Sequence, residues 1–204
     1  MISSLRQRLA FRLNLFKASS AGVAAVEFAY ILPVLLMMTF GVIEATRAVI
    51  MHKRFQRATA LIGDLISREE TLGTNAATGN AALAGIMKAA EHTMAPYSYA
   101  SLKIGVSAIS ANANTGATTV AWSYPYHSYP VTACGGAKNI PGNEDHTMIA
   151  NGNTAILVES QYTYTPLLSN LVPGFKTSVN WTDRIANAPR GACPNYAGKQ
   201  CTAC

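Results

Sequence analysis

The chain lacks the residue patterns on which most enzymes and nucleotide-binding proteins depend. It has no GxxxxGK[ST] phosphate loop, no strand-to-helix GxGxxG and no GxSxG elbow. Its histidines, His52, His92, His127 and His146, are scattered, and no His-x-x-x-His pair exists to start a metal site. Gly135-Gly136 stands outside any phosphate-binding pattern, and Asn143-Glu144-Asp145-His146 reads as a solvated polar turn rather than a cation loop. No enzyme is expected, and no catalytic, cofactor-binding or metal residue is assigned. Basic runs interleaved with aromatics are also missing beyond residue 70. The formal charge is +6, but four of the sixteen basic residues (Arg6, Arg8, Arg12, Lys17) lie before Gly22, in a leader without any acid. From Val23 onward twelve basic residues face ten acidic ones, which excludes a nucleic-acid partner. Cysteine is absent until Cys134. Cys193, Cys201 and Cys204 follow, an even set that fits disulfides in an oxidising compartment. Three pairings are open, and Cys201-Thr-Ala-Cys204 is formally a CxxC, so free thiols and redox or metal work stand as alternatives to structural disulfides.

The chain does contain one long apolar run, Val23 to Ile43. Its 21 residues would span ~31 Å as a helix, the thickness of a bilayer's hydrocarbon core. Glu27 is the fifth residue of that run, where a carboxylate costs on the order of 2–3 kcal/mol. Small residues, Ala21-Gly22, precede it. A cut after Gly22 would leave a new ammonium on Val23, one helical turn from Glu27. A removed secretory signal is the rival reading, but the run is too long, no A-x-A site closes it, and the expected cut lies before it. The run therefore stays with the mature protein as an anchor in membrane lipid. Charge leaves its orientation open, with four basic residues before it and Arg47, Lys53, Arg54 and Arg57 after it. The cysteines favour a C-terminal domain on the outer, oxidising side.

Beyond the anchor, Met51, Phe55, Ala58, Ile62 and Leu65 make a helical stripe, read as the core-facing side of one helix over about 23–70. Pro33 should kink this helix. In the leader, Leu5, Leu9, Leu13 and Phe16 suit either an amphipathic segment or a disordered basic region. Residues 71–80 read as a loop, with Asn80 capping a second helix over 81–94 that carries Leu83, Ile86, Met87 and Ala90 inward and stops at Pro96. The period then changes to two. Strands are expected at Leu102–Ala108, at Thr118–Tyr124 after an Asn112–Gly116 turn, at Ile156–Tyr164, and near 176–185; residues 125–153 read as an excursion loop. The tyrosines (Tyr97, Tyr99, Tyr124, Tyr126, Tyr129, Tyr162, Tyr164) suit sheet packing better than a ligand face. The fold class is α+β: a long membrane-spanning helix continuing into a domain with a second helix and a small antiparallel sheet.

Gly22 followed by VAAVEFAYILPVLL resembles the class III prepilin signal of the Flp/Tad (tight adherence) pilus system. The longer AAVEFAYILPVLLMMTFGVIEATR is similar to TadE-like pilus assembly proteins at Glu27, Phe28, Pro33, Gly41 and Glu44. MAPYSYASLKIGVSAIS at 94–110, VAWS at 120–123 and ILVESQYTYTPLL at 156–168 are like the periplasmic part of that family. The resemblance implies a pilin-like domain and a processed pseudopilin of a bacterial inner membrane, crossing it once and acting in Tad pilus assembly. Its implied partners are a prepilin peptidase working from the cytoplasmic face, the pilus platform and sister pseudopilins. The expected divisions are a leader at 1–22, a transmembrane helix at 23–44, its periplasmic extension at 45–70, an α+β domain at 71–190, and a cysteine-bearing tail at 191–204. The alternative function is a membrane-anchored periplasmic ligand-binding or adhesion domain.

Overall fold

A computed structural model describes residues 20–140, 149–150, 152–170, 178–191, 193–198 and 201. The leader stripe, the Asn143–His146 turn, Cys204 and the start of the expected 176–185 strand lie outside the described residues. The chain divides into two units, Met1–Arg47 and Ala48–Cys204. Helix α1, Ser20–Arg68, contributes to both.

In the first unit, every residue from Val23 to Ile43 is exposed. No Gly-Pro break interrupts the helix, which continues across Pro33. The Thr39 and Thr46 hydroxyls donate to the carbonyls of Leu35 and Val42, each at 2.8 Å, so these polar groups are satisfied within the helix. The stretch is long and apolar enough to cross a membrane, and none of it is buried in the structure.

In the second unit α1 buries one stripe: Met51, Phe55, Ala58, Ile62 and Ile66. Leu65, expected to close that stripe, is only half-buried. Four residues beyond Ile62 the 3.6-residue repeat brings Ile66 onto the core side instead.

The second helix, α2, begins earlier than expected. It runs Ala76–Met94 and its cap is Asn75, not Asn80. The Asn75 side chain accepts from the Thr78 N–H at 3.0 Å, while the Asn75 N–H donates back to Thr78 Oγ1 at 3.2 Å. This reciprocal pair satisfies two otherwise orphaned donors. Asn80 sits inside the helix and accepts a hydrogen bond from Tyr196 Oη. Leu83, Met87, Ala90 and Met94 face the core, and Ile86 packs at its margin.

The residues read as a loop at 71–80 include a short strand β1, Thr71–Leu72, ahead of α2. The main sheet has four antiparallel strands: β2 Lys103–Ala111, β3 Thr118–Tyr126, β4 Thr154–Tyr164 and β5 Val179–Asn187, in the order β3-β2-β4-β5. The even-numbered residues of β2 and β4 (Ile104, Val106, Ala108; Ile156, Val158, Tyr162, Tyr164) join α1 and α2 in the larger core cluster. A bulge between Ala108 and Ile109 pairs Trp122 with Ala108 but Val120 with Ile109, so Trp122 and Val120 project to opposite faces.

The second face of the sheet is covered too, which the alternating pattern of β2 did not announce. Ile109, Ala111, Ala155 and Leu157 pack with Ile140 and Ile149 from the segment read as an excursion loop. That segment also closes the outer edge of β3. Gly135 N–H donates to Val120 O at 2.8 Å, Val120 N–H to Gly136 O at 2.9 Å, and Lys138 N–H to Thr118 O at 3.1 Å. A sheet edge left open in this way would be a template for aggregation. Gly105 permits the crossing, because a Cβ there would collide with the Tyr129 ring.

The described residues 193–198 and 201 are part of the fold. Strand β6, Asn195–Tyr196, pairs in parallel with β1. Trp122 Nε1 donates to Pro194 O at 2.9 Å, and the Tyr196 ring lies 5.1 Å from that of Trp122. Gly79 makes room, since a Cβ on it would stand 2.7 Å from Leu72 O.

Candidate functional site

The processing and assembly candidates lie in linear order along α1. Gly22, Val23, Glu27 and Pro33 are all helical. Val23 and Glu27 are four residues apart and therefore share a face, with a rise of ~6 Å between them. Val23 is 61% exposed, and Glu27 is exposed with no hydrogen-bond or ion-pair partner among the described residues. Chemically, the arrangement offers a carboxylate one turn from a position that would become an ammonium if the chain were cut after Gly22. Pro33 removes the N–H that would otherwise bond to Ala29 O. Farther along, Glu44 Oε2 lies 3.9 Å from Arg47 Nη1.

A second cluster, missed from the sequence, occupies the outer face of the sheet. Glu159 is 5% exposed. Its Oε2 is 2.6 Å from Lys138 Nζ and its Oε1 is 2.8 Å from Arg184 Nη2. The register places Gly105, Glu159 and Arg184 in one row across β2, β4 and β5. Tyr129 lies over Gly105, and burial pushes its phenol up, with the Glu159 charge adding to the shift and the Arg184 charge opposing it. A carboxylate this buried requires its partners: removal of one member of such a pair typically costs ~3–5 kcal/mol. The cluster fastens the covering segment, through Lys138, to the sheet. Its sequence signal was an acid in step with Ala155 and Leu157, at the point where that strand face turns polar with Gln161 and Thr163.

The tyrosines are distributed through the packing. Tyr162 and Tyr164 are buried beside Trp181, with Tyr164 stacked on it at 4.9 Å. Tyr126 Oη donates to Glu91 Oε1, and burial first, then this bond, raises its phenol above the ordinary range. The cysteines resolve the open pairing in part. Cys193 is bonded to Cys201, so the two ends of the formal CxxC are not bonded to each other. Cys134 is disulfide-bonded as well, and no free cysteine occurs among the described residues. Cys201 is buried against the main core. Among the described residues, no group of three or more His, Cys, Asp or Glu side chains is gathered to hold a metal.

Similarity to known proteins is concentrated in α1. The TadE-like protein family matches residues 22–61, a span that opens at Gly22 and takes in Glu27, Pro33, Gly41 and Glu44. The match does not extend to residues 94–168, where a resemblance to that family's periplasmic part was expected. No curated protein and no solved structure matches the chain. Residues 22–61 are thus similar to the TadE-like protein family.

Proposed function

We propose that this chain is a pseudopilin of a Tad pilus, anchored once in the inner membrane through Val23–Ile43, with the second unit in the periplasm. Its role is structural and non-catalytic: it joins sister pseudopilins and platform proteins in building the filament. The observation that carries this reading is the family match beginning at Gly22, the residue after which small-residue spacing and the acid-free leader place the cut. A prepilin peptidase is the processing partner. Gly22 is helical, so a peptidase that takes its substrate extended must unwind this part of α1, a change that glycine eases.

Cleavage gives Val23 an ammonium, and Glu27 neutralises it, on the same chain or a neighbouring one, when the subunit packs within the membrane. Leaving that cation uncompensated costs on the order of 3–5 kcal/mol. Glu27→Gln keeps the side chain's shape while removing its charge. The variant should insert and be cleaved, yet the strain should lose its pili, and pull-downs should recover fewer sister pseudopilins. Normal piliation at wild-type protein level would contradict the assembly role of Glu27.

A further inference from the structure

We propose that the outer edge of β5 receives an extended segment of a partner protein, added to the main sheet as a further strand, with an acidic residue opposite Arg184. The edge belongs wholly to the second unit; only its place in pilus assembly rests on the pseudopilin reading. Strand addition of this kind draws affinity from backbone bonds and selectivity from alternate side chains.

The ladder leaves this edge open. In an antiparallel sheet, alternate residues of a strand turn N–H and C=O to one neighbour, and the rest turn to the other. Ala111 N–H donates to Asn153 O at 2.9 Å and Ala111 O accepts from Gly152 N–H at 3.0 Å, so the odd-numbered residues of β2 turn toward β4. The β2–β4 register sets odd against odd, which leaves the even-numbered residues of β4 to bond β5. Tyr162, Ser160 and Val158 meet Trp181, Asp183 and Ile185 there. Asn180, Thr182, Arg184 and Ala186 therefore turn their backbone groups outward, along ~20 Å of strand. Arg184 agrees independently, since its N–H is occupied by Asp183 Oδ1 at 3.0 Å. Among the described residues nothing else bonds to these outward groups, and Asn180, Thr182 and Arg184 are exposed. The opposite edge of the same sheet, at β3, is closed by Gly135, Gly136 and Lys138. An edge left open is a template for another chain.

The side chains specify the occupant. On the outer face Lys138 and Arg184 flank the Glu159 carboxylate at 2.6 and 2.8 Å, so two cations share one anion. Arg184 ends this row at the sheet edge, with its side chain 44% exposed. A residue added beside it takes the next place in the row, and a carboxylate there continues the alternation of sign. On the other face Trp181 and Ile185 are half-buried against the main core, so the neighbouring positions of the segment are apolar. A second copy offering its own β5 edge fits less well. The two-fold registers centred on Thr182, Asp183 and Arg184 set Trp181 on Asp183, Asp183 on Asp183 and Arg184 on Arg184, respectively. None of them brings an acid to Arg184, and two oppose like charges.

The test uses full-length, isotope-labelled protein in detergent and a synthetic nonapeptide that alternates threonine and valine around a central glutamate. Its palindromic pattern lets it pair in either direction. Amide exchange is followed by NMR with the peptide at ten times its dissociation constant. The Asn180, Thr182 and Ala186 amides should then exchange about tenfold more slowly. Trp181 and Ile185, already bonded to β4, and Val120 on the closed edge should not change. Lysine in place of the glutamate should weaken binding about tenfold. Thr182→Pro removes an outward N–H and no bond to β4, so it should abolish the slowing while its circular dichroism stays that of the parent. The comparison of the two peptides needs no variant and decides the matter if Thr182→Pro fails to fold. No slowing with the glutamate peptide, equal binding of both peptides, or slowing spread beyond β5 overturns the proposal. Slowing of the same amides without peptide, lost on dilution, gives the edge to a second copy and overturns it too. None of these outcomes alters the mature N-terminus or the piliation of Glu27→Gln, so failure here is distinct from failure of the pseudopilin reading.

Discussion

Phe28 and Phe55 lie on the same helix, yet Phe28 is 57% exposed and Phe55 is fully buried. The two halves of α1 differ in pattern more than in apolar content. Before residue 44, apolar side chains occupy every face, and the folded part of the chain covers none of them. After residue 50 they fall on one stripe, with Lys53, Gln56 and Arg57 exposed between them. A helix apolar all round needs an apolar solvent, whereas a striped helix needs one packed neighbour. Period therefore tells which surroundings each half of a single helix requires.

The largest effect should separate the two phenylalanines. Phe55→Ala should lower the unfolding free energy of the second unit by ~3–5 kcal/mol, as expected for emptying a buried ring. Phe28→Ala should leave it unchanged, both followed by tryptophan fluorescence during urea unfolding in detergent. A similar loss from both would mean that the upstream half is packed like the downstream one.

The next effect concerns how the downstream end is held. Arg190 N–H donates to Ser67 O at 2.9 Å, and the Cys193–Cys201 loop follows it. Replacing both Cys193 and Cys201 with Ser should cost ~2–3 kcal/mol by loop-closure entropy, read as a lower urea midpoint. An unchanged midpoint would show that the hydrogen bonds and Tyr196 packing hold this segment unaided.

The smallest effect lies on the solvent side of the same half. The Arg68 hydrogen bond, with the Arg68 and Arg190 charges, holds the Asp64 carboxyl below its usual range against a smaller opposing effect of desolvation. A lowered folded value means that Asp64 contributes stability above the unfolded carboxylate pKa of ~3.9, and that this is lost as pH falls through the lowered value. Asp64→Asn should therefore be slightly less stable than the parent at neutral pH, with the gap closing in acid. A gap independent of pH would remove the charge interaction as its cause.

What the sequence made legible was local. The α1 stripe, the β2–β3 turn and the alternation of β4 each depend on spacings within one element. The helix α2 start was missed because Asn75 and Asn80 are both competent caps, and only the reciprocal bond with Thr78 decides between them. Residues 127–140 looked like a loop because they bond to the β3 edge through backbone groups, while their apolar cover is carried by a few scattered side chains. Glu159 depends on Lys138 and Arg184, each more than twenty residues away, so no short-range pattern announces the cluster. The pairing of β6 with β1 and of Cys193 with Cys201 is likewise set by the finished fold.

The most direct test of the account is the N-terminus of the protein extracted from membranes of cells that carry the pilus system. The account predicts a mature chain beginning at Val23, with the apolar half of α1 retained, and an uncut chain for Gly22→Val. A membrane-held protein that still begins at Met1, in cells whose other prepilins are processed, would contradict it.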